Sequence, residues 1–187
     1  RAARLPFWHG GAIGRPYETG RARGALVRAL DGGIARAAER DEAPEARSGK
    51  NAMTPALRDR LMADGLDEDA RRNLAALIEA QRACTGAVPT DRRLVVEACP
   101  DETGDMRVIL HSPFGRRVHE PWALAVAHRI TSTLGFDPQA VASDDGIVLR
   151  VPATEDALPG SDLFRFNPDE LESIVRERVG FTALFAA

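Results

Sequence analysis

Between His111 and Trp122 the chain gathers two arginines, two histidines and two aromatic rings: Arg116 and Arg117, His111 and His119, Phe114 and Trp122. Guanidinium groups fork onto phosphate oxygens, and aromatic rings offer faces on which bases stack, so this mixture suits contact with single-stranded nucleic acid. A second such group, Phe7-Trp8-His9 with Arg15 close behind, opens the chain. Trp8 and Phe114 are the candidate stacking residues. Arg15, Arg116 and Arg117 are the candidate phosphate contacts, with His119 as a further polar contact. The competing assignment is ordinary: Trp8 and Phe114 in a core, and the arginines on a solvated surface.

Other chemistries fit the residues less well. Asp144-Asp145 could serve as a carboxylate pair, but followed by Gly146 between two β-rich runs it reads as a hairpin turn. His111 and Ser112 are neighbours at a strand end, where successive side chains point to opposite faces, so they cannot readily meet as base and nucleophile. No G-x-S-x-G elbow or H-E-x-x-H pattern occurs, and neither Gly10-Gly11-Ala12-Ile13-Gly14 nor Ser48-Gly49-Lys50-Asn51 completes a phosphate loop. Cys84 and Cys99 are too far apart in sequence for a zinc knuckle. The expectation is therefore no catalytic set, no metal and no cofactor bound by this chain.

The 187 residues are 44% apolar and 28% charged, with a net charge of −3. That balance fits a globular fold and argues against coating nucleic acid by bulk attraction, leaving local charge placement to decide. Lys50 is the only lysine, so almost every cation is a guanidinium. No apolar run reaches the roughly 18 residues of a membrane span, and Arg1-Ala2-Ala3-Arg4-Leu5 is not the start of a signal peptide, so a cytoplasmic protein away from membranes is expected.

Apolar periodicity outlines the elements that must carry these groups. Leu26, Val27, Leu30 and Ile34 mark a first helix, which Gly32-Gly33 should weaken or end. Residues 41–53 read as a linker between an N-terminal aromatic loop and helix (1–40) and the remainder (54–187). Thr54-Pro55 and Asp67 start two helices expected to pair as a hairpin. Two strands, 94–99 and 106–112, are followed by a helix from about Pro121, then by strands 139–142 and 147–151, and Asn167-Pro168 opens a last helix. The expected fold is α+β: an antiparallel β-β-α-β-β sheet layer packed by helices, with an N-terminal helical part.

Five segments add a resemblance: Leu5-Pro6-Phe7-Trp8-His9-Gly10 with Gly14-Arg15-Pro16; Ser112 to His119; Pro121-Trp122-Ala123-Leu124-Ala125; Ser143 to Arg150; and Thr182-Ala183-Leu184-Phe185-Ala186. In these the chain resembles the C-terminal accessory, DEAD/H-associated region of the large helicase-related (Lhr) proteins. The resemblance implies an accessory nucleic-acid-binding domain of a superfamily 2 ATP-dependent 3′-5′ DNA helicase and translocase linked to DNA repair. ATP and Mg would belong to the RecA-like motor of the parent polypeptide. The implied partners are single-stranded DNA or a DNA/RNA duplex junction, together with the motor and winged-helix domains of the same polypeptide. Gly11-Ala12-Ile13 departs from the family's pattern, and the sequence stops where the family continues into another helix. The alternative is a scaffold that braces the motor without touching nucleic acid.

Overall fold

A computed structural model of the chain describes residues 14–40, 53–152 and 160–180. Its elements are α1 (Tyr17–Arg40), α2 (Pro55–Ala63), α3 (Glu68–Thr85), β1 (Val95–Pro100), β2 (Met106–His111), α4 (Arg116–Leu134), β3 (Gln139–Ser143), β4 (Gly146–Val151), a 3-10 turn (Ser161–Phe164) and α5 (Pro168–Val179). Trp8, the aromatic opening, most of the 41–53 stretch and the apolar residues 181–187 lie outside the described residues. No helix among those described is long and apolar enough to cross a membrane.

The strands form one antiparallel sheet in the order β1-β2-β4-β3. Because α4 separates β2 from β3, the second hairpin returns with β4 innermost, and β4 rather than β3 pairs with β2. Val108 and Leu110 on β2 and Ile147, Leu149 and Val151 on β4 fall on one face by the two-residue period of a strand. That face meets Ala123, Val126 and Ile130 of α4 and Leu163 and Phe164 of the 3-10 turn in one apolar cluster. Each fully buried Leu or Ile there contributes about 1.5–3 kcal/mol. Trp122 closes its rim, its ring edge-on to Phe164 and its indole N–H donating to the Phe164 carbonyl at 3.1 Å.

A second cluster joins Leu30 and Ile34 of α1 to Met53, Leu57, Leu61, Ala75, Ile78 and Val88. Two of the caps expected from sequence bond as expected: Asp67 accepts from the Ala70 N–H at the start of α3, and Asn167 from the Asp169 N–H at the start of α5, whereas Thr54 stands at the N-cap of α2 without a side-chain cap bond.

Two expectations are corrected. Helix α1 does not end at Gly32-Gly33 but runs on to Arg40. A Cβ on Gly33 would stand 2.5 Å from Leu57 Cδ2, so the glycine lets α2 approach closely, and burial of Leu30 and Ile34 on either side outweighs the lost helix propensity. Helix α4 begins at Arg116, not near Pro121, and Pro121 lies inside it. Arg116, Arg117 and His119 therefore occupy the first turns of a helix rather than a loop. Helical spacing then sends them to different sides.

Candidate nucleic-acid interface

Three segments meet at one corner: Gly14–Pro16 ahead of α1, residues 112–115 ahead of α4, and the Asp144-Asp145 turn between β3 and β4. Asp144 joins all three. Its Oδ1 accepts the backbone N–H of Arg15 at 2.6 Å and that of Arg116, the first residue of α4, at 3.0 Å. These two backbone donors hold the Asp144 carboxyl below its ordinary range, because bonds to the charged form favour it. The Arg15 guanidinium returns to the same turn, donating to the Asp144 carbonyl at 3.1 Å and to Asp145 Oδ1 at 2.9 Å. From α1, Arg23 reaches that same Oδ1 at 2.5 Å. Burial pushes the Asp145 carboxyl up, but its bonds to Arg15 and Arg23 prevail and the net shift is downward.

Beneath this polar layer lies His119, 0% exposed. Its Nδ1 stands 2.6 Å from the Ser143 carbonyl, which can only accept, so Nδ1 carries the proton. That leaves Nε2 to accept from the Ser112 hydroxyl at 2.7 Å. The pair has the spacing of a nucleophile and its base, but Ser112 is itself 2% exposed and the ring is sealed below the turn. Its work is to tie α4, β3 and the loop after β2 together. Burial lowers the His119 pKa, opposed by the Ser143 bond and by Asp144 and Asp145.

The candidate residues thus have different fates. Arg15, Phe114 and Arg116 come together at the corner. Phe114 is half-buried, its ring centroid 5.4 Å from that of Tyr17. The Arg116 side chain, on the surface, pairs with Glu120 one helical turn on, at 2.6 Å. Arg117 is exposed on the first turn of α4. His119 as a strand contact is corrected: a side chain with no exposure and both nitrogens engaged within the protein has nothing to offer a ligand. Trp8 lies outside the described residues.

Sequence reasoning missed Arg23 and Tyr17. The available signal was Gly20-x-x-x-Gly24, two small residues on one helix face. A Cβ on Gly20 would run into the Pro113 carbonyl, and one on Gly24 would stand 2.6 Å from the Asp91 N–H nitrogen. That close approach of α1 to the loops delivers Tyr17 to Phe114 and Arg23 to Asp145. Beside Arg23 a cleft of about 430 Å3 opens between α1 and α3, with Val27, Leu30, Leu77 and Ile78 among its walls and Arg23 and Asp145 on its lining.

Comparison with known proteins places this arrangement. The DEAD/H associated family matches residues 88–187. Over its whole length the chain is 47% identical to the Lhr helicase/uracil glycosylase of Escherichia coli (strain K12), of which it covers 11%. It is 45% identical over 99% of its length to the Lhr helicase/probable uracil glycosylase of Mycolicibacterium smegmatis, again covering 11% of that protein. The chain therefore spans about a tenth of the length of these curated relatives. Among solved structures, that of Mycobacterium smegmatis helicase Lhr bound to ssDNA and AMP-PNP superposes on all of this chain and 21% of its own, with a TM-score of 0.74 and 44% identity. This chain belongs to the DEAD/H associated family and corresponds to that region of Lhr-type helicases.

Proposed function

We propose that the chain is the accessory nucleic-acid-binding domain of an Lhr-type ATP-dependent helicase and translocase that acts 3′ to 5′ in DNA repair. It contacts an unpaired DNA strand, or the strand at a DNA/RNA duplex junction, while the RecA-like motor of the same polypeptide handles ATP and Mg. The observation that carries this is the likeness, over the whole chain, to a helicase described as bound to ssDNA. The corner geometry supports it: Arg15 and Arg23 converge on the Asp145 turn, the Tyr17–Phe114 ring pair joins the same segments, and Arg116 and Arg117 open α4, so guanidinium groups and aromatic rings are gathered there as strand binding requires. In this reading Trp8 adds a further stacking ring, and the half-buried Phe114 packs against the strand.

A scaffold that only braces the motor and the winged helix is favoured by one observation, that Arg15, Arg23 and Arg116 already face internal carboxylates. Salt separates the two. Each phosphate contact on a single strand contributes about −0.7 to the slope of log affinity against log salt. Titration of this chain with oligo-dT across salt should give a slope of about −2, three contacts' worth. A folded chain with no affinity for oligo-dT at low salt assigns it to the scaffold role.

A further inference from the structure

We propose that Arg15 and Arg23 form a phosphodiester seat, that the Asp145 carboxylate fills this seat in the strand-free protein, and that the cleft beside it receives the attached base. The proposal rests on the strand-binding reading above and assigns that site its regulation. Two guanidinium groups from separate segments converge on a single oxygen, Asp145 Oδ1, at 2.9 and 2.5 Å. The carboxylate that attracts them is 62% exposed, on a turn at the surface. A phosphodiester carries the same single negative charge on two outward oxygens, so it can replace the carboxylate without leaving either arginine unpaired, and guanidinium forks match that geometry.

The surroundings allow such an exchange. Arg15 is held independently of Asp145, by its own N–H on Asp144 Oδ1 and by its Nη1 on the Asp144 carbonyl, so one half of the seat stays in place when Asp145 departs. The Asp145 backbone is fixed as well: its N–H donates to Ser143 Oγ at 3.2 Å and its carbonyl accepts from the Ser112 N–H at 3.0 Å. Only the side chain must swing, a rotamer change at a solvated position. The base then has somewhere to go, because Arg23 and Asp145 also line the apolar cleft between α1 and α3. Leu77 on its wall is 63% exposed, a large apolar side chain left facing solvent. Aliphatic walls make no hydrogen-bond demand, so every base is acceptable there.

The seat is tested on the whole chain with oligo-dT and with an abasic oligomer of equal length. Because Asp145 competes with phosphate, Asp145→Asn should tighten oligo-dT binding by about two- to fivefold at low salt, the scale of one screened surface charge. Arg23→Ala should weaken it by a similar factor. Leu77→Asn, a neutral change at an exposed position, should weaken oligo-dT binding and leave the abasic oligomer unaffected. If wild type binds oligo-dT and Asp145→Asn binds no tighter, the seat is overturned while the strand-binding reading stands. If Leu77→Asn affects both oligomers equally or neither, the cleft does not hold a base. If folded wild type and Asp145→Asn both fail to bind, the strand-binding reading itself falls.

Discussion

The two layers of the corner each take one carboxylate of the Asp144-Asp145 turn and behave oppositely. In the lower layer His119 and Ser112 are sealed from water, His119 is bonded to the Ser143 carbonyl, and Asp144 bonds to backbone N–H groups just above them. In the upper layer Arg15, Arg23 and Asp145, with Arg116 and Glu120 nearby, form ion pairs open to solvent. A buried polar group left without its partner costs about 1–3 kcal/mol, whereas an exposed ion pair contributes about 0–1 kcal/mol. The lower layer therefore maintains the fold, and the upper layer can exchange partners at little cost. For the two adjacent aspartates residue type decides nothing; what separates them is that Asp144 bonds to backbone donors and Asp145 to solvent-open guanidinium groups.

The contrast is broken most forcefully from below. His119→Ala removes both buried hydrogen bonds and leaves a cavity, and should cost about 3 kcal/mol of stability in denaturant titration. A loss under about 1 kcal/mol would mean that the lower layer is not structural. Next comes Gly20→Ala, whose new methyl meets the Pro113 carbonyl; it should cost about 1–3 kcal/mol by overpacking and, by shifting α1, detach Arg23 from Asp145. Thermal melting with strand titration on the same variant reads both effects.

Acid probes the same difference reversibly. His119 is harder to protonate folded than unfolded, so its contribution is complete above its ordinary value of 6.5 and declines as pH falls from there toward the lowered folded value. Asp144 is also depressed, so its contribution is complete above 3.8 and is lost as pH falls through its folded value. Melting temperature followed downward in pH should thus fall first below about 6.5 and again below about 3.8, with the first step absent in His119→Ala. The smallest effect belongs to the upper layer: Glu120→Gln should change stability by no more than about 0.5 kcal/mol, because the Arg116 pair is a solvated i,i+4 contact. A larger loss would place that pair in the structural layer.

Legibility followed the range of the interaction. Strand alternation, the Asp67 and Asn167 caps and the Asp144-Asp145 turn are local, so the sequence displays them. The start of α4 was not legible, because it is set by Asp144, 28 residues away, accepting the Arg116 N–H. The passage of α1 through Gly32-Gly33 was hidden for a similar reason: local propensity argues for a break, and only Leu57 of α2 shows what the missing side chain permits. Of the side chains at the corner, Arg15, Phe114 and Arg116 were picked out by composition; Arg23 was not, because the Gly20-x-x-x-Gly24 spacing around it signals a close helix approach and not which charge that approach delivers.

By itself the sequence determined the α+β class, the strand pairs, the caps and which short run held the arginines and rings, because each depends on residues within a few positions of one another. Tertiary structure alone decided that His119 turns inward while Arg116 faces solvent, that β4 rather than β3 lies beside β2, and that Arg15 and Arg23 converge on Asp145. Those outcomes depend on contacts between residues more than a hundred positions apart in the case of the arginines, and on which surfaces lose water when they meet.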